Sequence, residues 1–300
     1  MEYAVKKIPV CNSVEELLDF LKKYPTQKFC LYLAYKNKED WDKSTSRTYM
    51  NQVMDSLLYL PVNIAKDDLA SIREMLRIAE DNQNIVAINI TQPHKSGPVL
   101  KERFKGEDLP SNIDTLVKDE GGNLRPYDIN APSFVGWYKD EVGSFKNKSV
   151  VLLGAGGVGE PIARRIAHEH PKELVLVDKE PKEKLQEELA SYCNVRYTSK
   201  LDDTQNNIVF INCAGKEGAD DSSAAAFLEK HENKGFVFVD LRPQLDIEIV
   251  GKAKQLGWKA FTGHGMNARN DYVLLRKIAE RANAKPLEFS VFKELVAKAS

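Results

Sequence analysis

Three hundred residues, 42% hydrophobic and 29% charged, describe an ordinary globular chain with ample apolar surface to bury and a length that favours two domains over one. The 43 Lys and Arg against 44 Asp and Glu give a formal net charge of −1, and the basic residues are scattered among acids, which excludes a nucleic-acid-binding face. No run approaches the roughly 18 apolar residues of a membrane span, and the four separated cysteines form no CxxC pair, so a cytoplasmic protein with no membrane partner and no metal is expected.

In chain order, strands are expected at 29–34, 60–64 and 85–90, with helices at 46–58 and 67–80, the second capped by Asp67. Gly121-Gly122-Asn123 between apolar triplets predicts a hairpin, and Pro132 suits the first turn of a helix reaching Val142. A second series of strands follows at 149–153, 174–177, 195–198, 208–212, 236–239 and 259–261, and residues 266–300 read as two helices broken near Lys285-Pro286. Alternating strands and helices mean an α/β chain built around mainly parallel sheets.

Gly154-Ala155-Gly156-Gly157-Val158-Gly159 follows an apolar strand and opens a helix over 160–169, the context that a GxGxxG spacing requires. Gly154 permits the tight turn, Gly156 lets backbone approach a pyrophosphate, and Gly159 permits close packing of helix on strand. The first helical N–H groups of this turn, at Gly157, Val158 and Gly159, meet the phosphates with the positive end of the helix dipole. Asp178 ends the next strand, where a carboxylate accepts from ribose hydroxyls and repels a 2′-phosphate, so NAD is expected over NADP; the neighbouring Lys179 softens that preference.

Asn89-Ile90-Thr91-Gln92-Pro93-His94-Lys95 resembles the N-[VI]-T-x-P-x-K signature of the shikimate and quinate dehydrogenase family. Ser44-Thr45-Ser46-Arg47-Thr48-Tyr49-Met50-Asn51 is similar to that family's S-x-S-P-x-x-H-N, with Arg47 for proline and Met50 for histidine. Ile113-Asp114-Thr115-Leu116-Val117 resembles V-N-T-x-V, the stretch from Leu124 to Asn130 falls where the family has L-x-G-x-N-T-D, and Gly263 to Asn270 is similar to its glycine-methionine segment. The resemblance implies an α/β substrate domain over 1–131, completed by 266–300, with an inserted doubly wound Rossmann NAD-binding domain over 132–265. It also implies that Ser44 and Ser46 hold a substrate carboxylate, that Asn89, Thr91 and Asn270 meet the substrate, that Gly263 and Met266 face the nicotinamide, and that Lys95 works beside an aspartate at the carbon being oxidised.

That aspartate is missing. Aligned from Leu124 its place is taken by Asn130, and aligned at Gly136-Trp137 by Ser133, while Asp114 stands where the family has an asparagine. An amide orients a hydroxyl but cannot share its proton, so Asp114 is the candidate replacement, with Lys95, Asp114 and Asn130 as the catalytic set. The resulting expectation is an NAD(P)-dependent dehydrogenase acting, as monomer or homodimer, on a small hydroxylated carboxylic acid, amino-substituted analogues included. A silent NAD-binding sensor and a methylenetetrahydrofolate dehydrogenase-like enzyme are the alternatives.

Overall fold

The computed structural model describes residues 8–42, 50–51, 57–95, 97–106, 110, 112–201, 208–214, 221–279, 281 and 287–299. The chain divides into two compact units, Met1–Ile129 with Asp271–Ser300, and Asn130–Asn270.

In the first unit the described elements are α1 (Val14–Lys23), β1 (Lys28–Ala34), α2 (Lys38–Asp42), β2 (Leu57–Asn63), α3 (Leu69–Asp81), β3 (Ile85–Ile90), α4 (Pro98–Arg103), β4 (Thr115–Lys118) and β5 (Leu124–Tyr127). They form one sheet in the order β2-β1-β3-β4-β5, parallel across β2, β1 and β3 and antiparallel from β3 to β5. The hairpin β4–β5 adds to the open edge of β3, where a turn at Gly122 with φ +82° suits glycine. One sheet face buries Phe29, Leu31, Leu33, Leu60 and Ile88 against Leu17 and Leu21 of α1 and Ile72, Met75 and Leu76 of α3.

Two local expectations change. Leu57 and Leu58, expected to end a helix, begin β2, because a continuous apolar run carries no period that separates strand from buried helix. The cap of α3 is Asp68, whose carboxylate accepts from Ser71 N at 3.0 Å, rather than the adjacent Asp67.

The second unit contains α5 (Asn130–Trp137), a π-helical turn (Tyr138–Val142), β6 (Ser149–Leu153), α6 (Gly159–Ala167), β7 (Glu173–Val177), α7 (Glu183–Leu189), β8 (Asn194–Thr198), β9 (Ile208–Asn212), α8 (Asp221–Lys230), β10 (Val237–Asp240), α9 (Glu248–Gln255) and β11 (Lys259–Thr262). The helix expected from Pro132 thus begins at Asn130 and widens at Tyr138. All six strands are parallel, in the order β11-β10-β9-β6-β7-β8. Helices pack on both faces: Ile162 and Ile166 of α6 and Leu185 of α7 cover Val150 and Leu174, while Phe227 of α8 and Val250 of α9 cover Val151 and Phe210. This is a doubly wound sheet whose strand order reverses between β6 and β9, the place where such sheets open a ligand crevice.

The last helices are α10 (His264–Ala279) and α11 (Phe289–Ala299). The division between the units falls inside α10, so Asn130, Met266 and Asn270 lie in the second unit and Asp271 in the first. The expected break at Lys285-Pro286 lies outside the described residues.

Candidate functional site

In the first unit Lys95, Asp114 and Asp128 gather where β3 and β5 end and β4 begins. Thr91 N donates to Leu33 O at 3.0 Å, which ties the residue after β3 to β1. Three residues on, His94 is buried and its Nε2 lies 2.9 Å from Ile64 O, beyond the end of β2. The segment is therefore held on both sides, and the turns His94 N to Thr91 O and Gly97 N to His94 O at 2.9 and 3.0 Å present Lys95 between them. Lys95 is half-buried. Burial holds its ammonium below the ordinary lysine value, and the carboxylates of Asp114, Asp128 and Asp271, in that order, oppose the shift without reversing it.

Asp114 sits at the junction of three strands: its backbone O accepts from Ile90 N at 2.7 Å and its N donates to Tyr127 O at 3.1 Å. Its side chain is buried and accepts from Ile129 N at 3.0 and 3.2 Å and from Asn112 Nδ2 at 3.3 Å. A carboxylate fixed by backbone N–H donors is pre-aimed, because its rotamer is set before any ligand arrives. Asn89 is buried one residue from the end of β3 and gives its Nδ2 to Tyr59 Oη at 2.5 Å, and the Tyr59 ring stacks on Tyr32 at 5.0 Å. Asn51 bonds both the N and the O of Tyr59, at 2.7 and 3.0 Å, as a strand neighbour would. Ser44, Ser46 and Arg47 lie outside the described residues.

Sequence reasoning missed Asp271. It is 2% exposed, on the half of α10 that belongs to the first unit, and its field reaches Lys95, Tyr59 and Cys30. The available signal was helical phase: Asp271 precedes the buried Leu274 and Leu275 by three and four residues, so an acid occupies the apolar stripe.

In the second unit the glycine turn has the geometry its sequence asks for. Gly154 has φ +87°, and a Cβ there would meet Ala214 N at 2.8 Å; one at Gly159 would strike the Gly154 carbonyl. Around Gly156 nothing lies within 4 Å of that position, leaving its backbone open on the side from which a phosphate would approach. Gly156 and Gly157 are exposed, Val158 half-buried and Gly159 buried at the start of α6.

Beside this turn the ends of β9 and β10 carry a closed polar network. Buried Asp240 receives Asn212 Nδ2 at 2.9 Å and Arg242 Nε and Nη2 at 2.8 and 2.7 Å. Arg242 also reaches Asp221 at 3.2 Å, and Asn212 Oδ1 accepts from Ala214 N at 3.2 Å. Two carboxylates hold the guanidinium more firmly protonated than usual.

Past β7, half-buried Asp178 accepts Glu180 N at 3.0 Å, with Lys179 exposed beside it. Burial, then the carboxylates of Glu183, Asp178 and Glu180, push the Tyr197 phenol up, so this end of the sheet is acidic. Gly263 N donates to Arg242 O at 2.9 Å, Met266 packs in the core, and buried Ser133 Oγ and Asn270 Oδ1 have no hydrogen-bond partner. Asn130 opens α5.

Comparison with known proteins agrees with this architecture. No family model matches the chain. The shikimate dehydrogenase (NADP(+)) of Alkaliphilus metalliredigens is 26% identical over 124 residues, 41% of this chain and 42% of that protein, so the chain spans about two-fifths of the length of the curated relatives it matches. The shikimate 5-dehydrogenase of Listeria monocytogenes, solved with shikimate and NAD, superposes with a TM-score of 0.65 at 17% identity over 90% of this chain and 96% of that one. The ligand-free 5-ketofructose reductase of a Gluconobacter strain gives 0.67 at 16% over 92% and 100%. The chain has the two-domain α/β fold of these enzymes and resembles the shikimate and quinate dehydrogenases. Among the described residues no helix is long and apolar enough to cross a membrane.

Proposed function

We propose that this protein is an NAD(P)-dependent oxidoreductase that interconverts a secondary alcohol and a ketone on a small hydroxylated carboxylic acid, with Lys95 as proton carrier. The observation that carries this reading is the setting of Lys95: an amine partly withdrawn from water, its ammonium disfavoured by burial, with Asp114, Asp128 and Asp271 close enough to act on its charge. Such an amine is tuned toward the range where it can both take and give a proton.

A nicotinamide dinucleotide, when bound, supplies hydride exchange. The backbone at Gly154, Gly156, Gly157, Val158 and Gly159 is suited to its pyrophosphate, and the open space at Gly156 fits that role. During oxidation neutral Lys95 takes the proton of the alcohol oxygen, and during reduction its ammonium returns one. Asp114 serves as the carboxylate partner that Asn130 cannot be, and Thr91 and Asn89 line the same strand end. Asp178 selects NAD over NADP by accepting from ribose hydroxyls, with Glu180 and Glu183 reinforcing the repulsion of a 2′-phosphate.

The test is turnover of a panel containing shikimate, quinate and amino-substituted analogues with NAD and with NADP, followed at 340 nm. Lys95→Ala should lower kcat by about 100-fold or more, with dinucleotide affinity kept. Normal NAD binding with no turnover across the panel would overturn the reading in favour of a silent sensor.

A further inference from the structure

Among the described residues of the first unit, Lys36 is a cation built into place with no carboxylate partner. Lys36 follows β1 by two residues, in strand phase with Tyr32, so both project on the same side of the sheet. Its backbone N donates to Asn63 Oδ1 at 2.9 Å, which fixes the chain as it leaves β1. Asn37 then starts α2, its Oδ1 accepting from Asp40 N at 2.8 Å and its O from Trp41 N at 3.1 Å. That turn brings buried Trp41 edge-on against Tyr32, with ring centres 5.3 Å apart.

The Lys36 ammonium lies between these rings, 5.0 Å from the centre of Tyr32 and 5.1 Å from that of Trp41, and donates to Tyr32 Oη at 2.8 Å. Aromatic faces orient an ammonium but do not neutralise it. Among the described residues Lys36 makes no salt bridge, and its two remaining N–H donors are uncommitted. Tyr32 is the register partner of Asn89, and the residue after β3, Thr91, bonds to Leu33 of β1, so Lys36 and Lys95 leave adjacent parallel strands at the same edge. Adjacent strands are about 4.8 Å apart, so the chain segments that carry the two lysines leave the sheet side by side.

We propose that Lys36 is an anion-binding residue that receives the carboxylate of the acid whose carbinol meets Lys95; the pairing with a carbinol rests on the dehydrogenase reading above. Tyr32 and Trp41 act as positioning residues that hold the ammonium extended toward that carboxylate.

The experiment compares wild type, Lys36→Met and Lys36→Arg in two assays. In turnover, the best acid of the panel is set against its methyl ester, which lacks the charge. Lys36→Met should raise KM for the acid about 10- to 100-fold, the range of a charge-assisted hydrogen bond, with kcat changed less than about threefold and the ester's KM unmoved; Lys36→Arg should restore most of the loss. In binding, independent of turnover, cyclohexanecarboxylate and cyclohexanecarboxamide are titrated calorimetrically into each protein, with melting curves to confirm folding. Wild type should bind the carboxylate in preference to the amide, and Lys36→Met should lose that preference. Equal effects on acid and ester, or a wild type that does not distinguish carboxylate from amide, overturn the proposal. No turnover by wild type together with Lys36-dependent carboxylate binding would instead refute the dehydrogenase reading and leave this site standing.

Discussion

Replacing Arg242 with Met should unsettle the second unit by an amount that its two arms allow to be worked out. One arm is buried: Asp240 is 1% exposed and receives Nε and Nη2 at 2.8 and 2.7 Å. Removing one partner of a buried pair costs about 3 to 5 kcal/mol because the other charge is stranded, and here Asn212 Nδ2 and Arg242 N still donate to Asp240, which places the loss toward 2 to 3 kcal/mol. The other arm reaches Asp221, which is 44% exposed, and contributes about 0.2 to 1 kcal/mol. Arg242→Met should therefore destabilise by about 3 kcal/mol and Asp221→Asn by about 0.5 kcal/mol. The assay is urea unfolding followed by fluorescence of Trp137 and Trp258, both buried in this unit. In the double variant Arg242→Met with Asp240→Asn no stranded charge remains, so much of the loss should return. A cost below about 0.5 kcal/mol for Arg242→Met, or a double variant as unstable as the single one, would refute the reasoning.

The glycine turn separates fold from ligand: Gly159→Ala should cost about 1 to 3 kcal/mol through collision with the Gly154 carbonyl, whereas Gly156→Ala should leave melting unchanged and weaken dinucleotide binding, as titration would show. Asp178→Asn should raise the ratio of kcat/KM for NADP over NAD by about tenfold, a change of about 1.4 kcal/mol in discrimination. Burial places the Lys95 ammonium below its ordinary 10.5, so between the lowered value and 10.5 the folded chain binds fewer protons than the unfolded one and stability rises with pH. Lys95→Met removes the penalty carried by the charged form, and its Tm should exceed that of wild type at pH 7, with the gap closing toward pH 10.5; a constant gap or a reversed one counts against a desolvated amine.

What the sequence could reveal depended on how local the physical cause is. The turn at 154–159 could be read because each glycine answers a backbone constraint within a few residues, and Thr91 and Lys95 because strand end, proline and amine lie together in the chain. Asp271 and Lys36 could not be found that way. The meaning of Asp271 comes from burial against strands some 200 residues earlier, and that of Lys36 from Trp41 folding back onto Tyr32. At Leu57 and Leu58 the sequence is ambiguous in kind, since both faces of β2 are buried and alternation disappears. The exchange of Asp67 for Asp68 as the cap is a smaller case, two adjacent acids differing only in which one can reach Ser71 N.

The first unit is drawn from two stretches of chain, with all of residues 130–270 between them. On the ribosome its five strands therefore emerge well before the helix that bears Asp271, Leu274 and Leu275, by on the order of ten seconds at ordinary elongation rates. For that interval Cys30, Tyr59 and Lys95 are without the acid whose charge acts on all three in the folded unit. The unit encoded between the two stretches is contiguous, so every strand it needs is synthesised before the first unit's last helix is complete.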